Sequence, residues 1–489
     1  MNKGALGLIA IVFFLAASFF SYYPKTSNPL PLFDSSRYYY YSEKFIDSGS
    51  YRFYDDLSYS GRFNASPPLQ EFIIFLLYKF FNFGLSVYDF LKYYSFIIFS
   101  ASSILLYSYL FKKKGLLAGV LGCFLFIFNA KIISSFESGV IKHFQLGLLL
   151  FILGLLLVES YSKKKWLILA YSIILPLSYL ESVVIFLMLI SYMIIFEKKN
   201  KRYLIMGFAL GCIYWLVMLI FSESAVLTSE FIYEKLGENK PLSLESVYAI
   251  MGYSLILLIF LIPKFIKRQG FEEIFFIIIL AGYSFARVKD LTFFITLLVI
   301  LMSFTAHYLS RKNFAFTIVI LVILLTPYFQ NYLSYKDAVT WVRPSAALID
   351  AYHWIRNNTG NDSVVFECIN HGSEVLAYAI RKNTGDNFFE FINDLPLNAS
   401  IDYIDFISSY NYSVPEQIIK NYGADYFVFH KSMNDPCYWW INPLDKILMP
   451  YYFENMTSAP FIYQLYKNNS TFLESVYEND ESVIFRVIQ

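Results

Sequence analysis

Charge is scarce in this 489-residue chain: 16% of the residues are Asp, Glu, Lys or Arg, against 57% hydrophobic and 20% aromatic. So little charge cannot cover a soluble fold of this size, and the composition reads as a polytopic membrane protein. The net charge is +1, with the bases gathered in short knots, so the extended basic stripe that nucleic acid needs is missing. No nucleic acid partner is expected. Cysteine is scarce too. Of the four, Cys123 and Cys212 fall in apolar runs, which leaves Cys368 and Cys437 in the polar C-terminal part, enough for one disulfide but not a framework. Internal repeats, low-complexity tracts, a glycine-rich phosphate loop and zinc-type Cys/His spacing are also lacking.

Long apolar runs, in contrast, are plentiful. Eleven spans are expected, at about 4–23, 92–111, 115–130, 144–160, 166–180, 181–196, 203–221, 247–265, 272–286, 290–309 and 313–330. With Lys3 inside, this path puts Lys112–Lys114, Lys163–Lys165, Lys198 to Arg202, Lys264 to Arg268 and Arg311–Lys312 in the cytoplasm, in accord with the positive-inside rule. Counting 69–83 as another span would send all five knots outside, so it reads as a helix in the outer interface, begun by Pro67 and Pro68. The first span is read as an anchor followed by Tyr22 and Tyr23, with no small-residue cleavage site after Phe20. Reporter fusions after Lys114, Lys165 and Arg202 should report the inside, and one after Gln489 the outside; a cytoplasmic C-terminus would overturn the topology.

The fold class expected is thus a membrane domain over 1–330, with outer loops 24–91, 131–143 and 222–246, and an extracytoplasmic mixed α/β domain over 331–489. In the latter, Ala346 to Arg356 and Glu416 to Tyr422 read as helices, and Val364 to Cys368, Asp425 to His430 and Ser482 to Val487 as strands. Asn-X-Ser/Thr triplets begin at Asn64, Asn357, Asn361, Asn398, Asn411, Asn455, Asn468 and Asn469, all in segments placed outside.

Three outer constellations carry chemistry. Asp34, just beyond the first span and ahead of Tyr38 to Tyr41, can hold a hard divalent cation at the membrane edge or simply start a helix at Ser35. Glu137 lies in a short outer link, where a carboxylate near lipid needs either work or a partner such as Lys142. Arg287, beside Lys289 and Asp290, can grip phosphate oxygens in bidentate fashion or pair with Asp290. Carboxylates for a metal and a cation for a phosphate, on one outer surface, suit group transfer from a lipid-linked phosphate donor.

The order of these pieces resembles a known family. Asp34, the tyrosine run, Gly49, Asp55-Asp56, Pro67-Pro68-Leu69, the Glu137 loop, Ala286 to Phe294 and an outer C-terminal domain resemble the catalytic subunit of oligosaccharyltransferases. These are GT-C membrane enzymes that move a glycan from a polyprenyl phosphate or diphosphate to asparagine. Ala351 to Thr359, Tyr422 to Val428 and Ser475 to Asn479 look like further family segments, so the likeness spans nearly the whole chain. It implies Asp34 and Glu137 as ligands of Mn2+ or Mg2+, Arg287 as a donor-phosphate contact, and a further Glu in the 222–246 loop, Glu230 in preference to Glu245. It also implies a polyprenyl-linked donor, a protein or lipid acceptor and surrounding membrane lipids as partners. Two departures stand out. Gly139 occupies the place of the family's second acid, and Cys368-Ile369-Asn370-His371-Gly372 stands where Trp-Trp-Asp-Tyr-Gly is expected, with only Gly372 retained. Asn370, His371 and Gly372 are the acceptor-side candidates, with an amide in place of the charged acid. A hydroxyl- or lipid-directed GT-C transferase and a catalytically inactive membrane scaffold remain as alternatives.

Overall fold

The computed structural model describes residues 34–58, 61–63, 68–161, 164–178, 182–195, 200–221, 291–313, 343–368, 370–385, 405–431 and 470–488, with isolated positions elsewhere. The chain divides into two units: Met1–Asn28, Pro67–Leu216 and Glu230–Thr340 form one, and Pro29–Ser66, Val217–Ser229 and Trp341–Gln489 the other.

The first unit is helical. Its longest described helix, Val87–Lys114, starts where the Ser86 hydroxyl accepts from the Asp89 amide, and it stops at Gly115, whose φ of +91° suits a residue without a Cβ. Among the described residues this is the helix long and apolar enough to cross a membrane. Leu116–Ile127, Ala130–Ser135, His143–Tyr161, Lys165–Ile174, Ser182–Ile195, Lys201–Gly211, Ile213–Phe221 and Leu291–Lys312 follow. The segment expected to lie at the interface is the helix Leu69–Phe81; Phe72, Phe80 and Phe81 are exposed on it while Gln70 and Glu71 are buried. A helix that turns apolar groups outward and polar groups inward suits apolar surroundings.

Close backbone approach joins two of the helices. A Cβ on Gly207 or Gly211 would run into the Leu169 and Ile173 carbonyl oxygens of Lys165–Ile174, so this Gly-X-X-X-Gly pair lets the helices touch. Charge ties others together. Glu159 Oε2 lies 3.2 Å from Lys113 Nζ and 2.9 Å from Lys198 Nζ and accepts from the Tyr192 hydroxyl at 2.8 Å, so two of the basic knots share one carboxylate.

The second unit is built on a mixed sheet. The helix Asp34–Ser48 and a two-residue antiparallel ribbon, β1 (Tyr54–Asp55) with β2 (Arg62–Phe63), come first. The helix Ala346–Asn358, capped by the Ser345 hydroxyl on the Leu348 amide, leads to β3 (Val364–Phe366) and β4 (Lys382–Asn383). The helix Ser413–Asn421 then precedes β5 (Tyr426–His430), β6 (Leu473–Glu478) and β7 (Ser482–Val487). The order is β4-β3-β5-β7-β6, with β3 parallel to β4 and β5, and β7 antiparallel to β5 and β6. Phe366, Phe406, Phe427, Phe461 and Phe485 form its apolar core. Arg381 is 4% exposed and donates to the carbonyl oxygens of Arg356 and Thr359 at 2.6 and 2.8 Å, closing the C-terminus of Ala346–Asn358. Burial pulls its pKa down from the ordinary arginine value, with Arg356 adding to the effect. Cys368 is disulfide-bonded, and Cys123 and Cys212 are free; the fourth cysteine, Cys437, lies outside the described residues.

Candidate active site

Asp34 is the first residue of the helix Asp34–Ser48, in the second unit. Tyr38, Tyr40 and Tyr41 are buried, and Tyr40 and Tyr41 donate to Asp55 Oδ1 and Oδ2 at 3.4 and 2.5 Å, while the Leu57 amide donates to Oδ1 at 3.1 Å. Burial first, then the Asp55 carboxylate, raises the Tyr40 pKa above the ordinary tyrosine value and keeps its phenol a donor. Asp55 therefore ties β1 to the helix that Asp34 begins.

Glu137 belongs to the first unit and is 1% exposed. Its loop is pinned on several sides. Gln145, fully buried at the start of His143–Tyr161, donates through Nε2 to the carbonyl oxygens of Ser135 at 2.6 Å and Val140 at 2.8 Å. The Ser138 hydroxyl donates to the Lys92 carbonyl at 3.1 Å, and the Ser95 hydroxyl to the Val140 carbonyl, which fastens the loop to Val87–Lys114. Gly139, at a φ of +77°, makes the turn between these anchors, a backbone that an acid would strain. The Ser135 and Thr292 hydroxyls meet at 3.1 Å, so the loop is also held by Leu291–Lys312, whose first residues follow Arg287 to Asp290 directly in sequence. A lone amide in an apolar helix was the available signal for Gln145. Replacing it with Leu should cost about 1–3 kcal/mol, since the buried Ser135 carbonyl would lose this donor while the Val140 carbonyl keeps the Ser95 hydroxyl; thermal unfolding of the detergent-solubilised protein would measure it.

Glu230 and Arg287 lie outside the described residues, as do Glu245, Lys289 and Asp290. The acceptor-side candidates do not face solvent: Asn370 is 8% and His371 1% exposed, and Gly372 is buried too. They sit just past the C-terminal end of β3, where a network missed by the sequence reading holds them. Glu367 Oε1 lies 3.1 Å from His430 Nε2 and accepts from the Cys368 amide at 2.8 Å, while Oε2 accepts from the Tyr352 hydroxyl at 3.3 Å. The His371 ring stacks on that of His430 with centroids 4.4 Å apart and planes 15° from parallel, and His371 Nδ1 lies 3.8 Å from Glu374 Oε2. The carboxyl-terminal ends of adjacent parallel strands are where open α/β sheets place ligand-handling groups.

Carboxylate oxygens are the donors a hard divalent ion prefers, and Glu137 offers one from a firmly held loop. Among the described residues no three His, Cys, Asp or Glu side chains gather as a metal site. The donor chemistry of Glu137 fits such an ion.

No protein-family model matches the chain, and no curated protein matches it in sequence. Solved structures do match. The Archaeoglobus fulgidus oligosaccharyltransferase tethered to an acceptor peptide with the NVT sequon is similar at a TM-score of 0.70 and 13% identity, over 87% of this chain and 69% of that one. ArnT from Cupriavidus metallidurans, bound to undecaprenyl phosphate, has a TM-score of 0.56 at 11% identity, over 99% of this chain and 98% of its own. The mycobacterial arabinofuranosyltransferase AftD reaches 0.62 at 12% identity, covering 100% of this chain, which spans 40% of AftD. At such identities the likeness is one of architecture: this chain has the fold of the GT-C membrane glycosyltransferases.

Proposed function

We propose that this chain transfers a sugar or oligosaccharide from a polyprenyl-phosphate-linked donor to an acceptor, protein asparagine first, on the outer face of a plasma or internal membrane. The observation that carries the reading is the likeness, over 87% of the chain, to an oligosaccharyltransferase solved with an acceptor peptide. Solved structures of Archaeoglobus fulgidus oligosaccharyltransferase also include one in complex with an inhibitory peptide and a dolichol-phosphate and one in complex with zinc and sulfate. In this reading Asp34 and Glu137 hold a divalent ion, Mn2+ or Mg2+, whose Lewis acidity would stabilise the departing phosphate. Arg287 grips the donor phosphate oxygens through its planar fork. Glu230 accepts a hydrogen bond from the attacking amide and orients it. Asn370, His371 and Gly372 shape the acceptor side, with the Asn370 amide in place of a charged acid.

A second reading, transfer to a hydroxyl or lipid acceptor, is favoured by the burial of Asn370 and His371. One assay separates them. Membranes holding the protein are incubated with a labelled polyprenyl-phosphate sugar, Mn2+ or Mg2+, and a sequon peptide. Label in the peptide supports the first reading and label in lipid the second; none in any acceptor, over a range of donors, would leave an inactive scaffold.

A further inference from the structure

Three of the Asn-X-Ser/Thr triplets fall on described residues, and they differ in geometry. Asn357 lies inside the helix Ala346–Asn358, and the hydroxyl two residues on is engaged away from it: Thr359 Oγ1 donates to the Ile355 carbonyl at 2.7 Å and accepts from Arg381 Nε at 2.9 Å. Asn361 is exposed, but its partner Ser363 is buried. Asn411 differs from both. Asn411, Tyr412 and Ser413 are all exposed, at the mouth of the helix Ser413–Asn421.

The local fold presents that asparagine in one conformation. Asn411 Oδ1 accepts from the Ser413 amide at 3.2 Å and from the Ser413 hydroxyl at 2.9 Å, the Asx turn of this residue type. The Asn411 amide donates to Ser409 Oγ at 3.1 Å, which steadies the turn from the other side. Two donors on one carbonyl oxygen draw electron density from the amide, weakening the hold of Nδ2 on its protons, and Nδ2 has no partner among the described residues. The side chain is thus accessible, fixed by its own triplet hydroxyl, and free at the nitrogen.

We infer that Asn411 is an N-glycan acceptor on the folded protein, while Asn357 and Asn361 are passed over. The inference rests on the reading that places the C-terminal unit outside the cytoplasm. The substrate class is a polyprenyl mono- or diphosphate-linked glycan. Nδ2 bonds to the anomeric carbon, the carbon–oxygen bond to phosphate breaks, the phosphate leaves with the electron pair, and one amide proton passes to a base.

The test uses the full chain, made in a host without N-glycosylation and kept folded in detergent. It is incubated with a purified sequon-reading oligosaccharyltransferase, a lipid-linked oligosaccharide and Mn2+, and glycopeptides are read by mass spectrometry. Occupancy at Asn411 should exceed that at Asn357 and Asn361 by at least about tenfold, because those two need local opening first. Urea treatment before the reaction should level the three, and Asn411→Gln should remove the main glycopeptide. Equal occupancy in the folded protein, or a bare Asn411, overturns the inference. Protein from its native membranes should carry the same glycan. A bare Asn411 there with a C-terminal reporter outside defeats the inference alone, whereas a reporter inside defeats the orientation it rests on.

Discussion

Glu137→Ala should lower sugar transfer by on the order of a hundredfold to a thousandfold, the usual cost of deleting one fixed electrostatic group at a reacting centre. The carboxylate is buried, and its loop is pinned by Gln145, Ser95, Ser138 and Thr292, so it is held at one place and cannot easily be replaced by a neighbour. The assay is incorporation of label from a polyprenyl-linked sugar, with membrane insertion checked in parallel. Glu137→Gln has nearly the same shape and retains hydrogen bonding, so it separates charge from packing: if it keeps wild-type transfer, the metal reading of this residue fails. Loss in both variants with normal insertion is the expected pattern.

The second large effect concerns stability. His430→Leu removes the imidazole 3.1 Å from Glu367 and the ring stacked on His371, leaving a fully buried carboxyl with one fewer partner. Leaving a buried carboxyl short of one hydrogen-bond partner costs about 1–3 kcal/mol. Removing both sides costs less, so His430→Leu with Glu367→Leu should recover part of the loss. Urea unfolding of the solubilised protein, followed by protease resistance of the C-terminal unit, measures both. A double variant less stable than His430→Leu would show that Glu367 is held mainly by the Tyr352 hydroxyl and the Cys368 amide.

Local signals made much of the C-terminal unit legible in the sequence. Ala346–Asn358 announces itself by its apolar spacing, and Asp425 to His430 and Ser482 to Val487 are compact β-rich runs; the structure sets β5 at Tyr426–His430 and β7 at Ser482–Val487. The helix Leu69–Phe81 was visible because prolines precede it. What the sequence hid was pairing over distance. Nothing near Asp55 marks it as the anchor of Tyr40 and Tyr41, and Glu367 and His430 meet only because β3 and β5 lie side by side. The tyrosine run does not reveal this role either, since tyrosine suits a membrane boundary and a buried carboxylate equally. Asp34 and Glu137 draw attention in the sequence as isolated acids beside apolar runs, and only the resemblance gives them a role.

The order of the sheet also bears on how the second unit is made. β7 is the last of the five strands in sequence, yet it lies between β5 and β6. During synthesis β3, β4 and β5 emerge first, and the backbone groups of β5 on its β7 side stay unmatched until Ser482–Val487 arrives. The nascent chain therefore carries an open, phenylalanine-lined sheet edge through the synthesis of the whole segment from His430 to Ser482. Slow elongation in that stretch would lengthen its exposure to chaperones and to mispairing, so the yield of folded protein should be governed there more than in the helices.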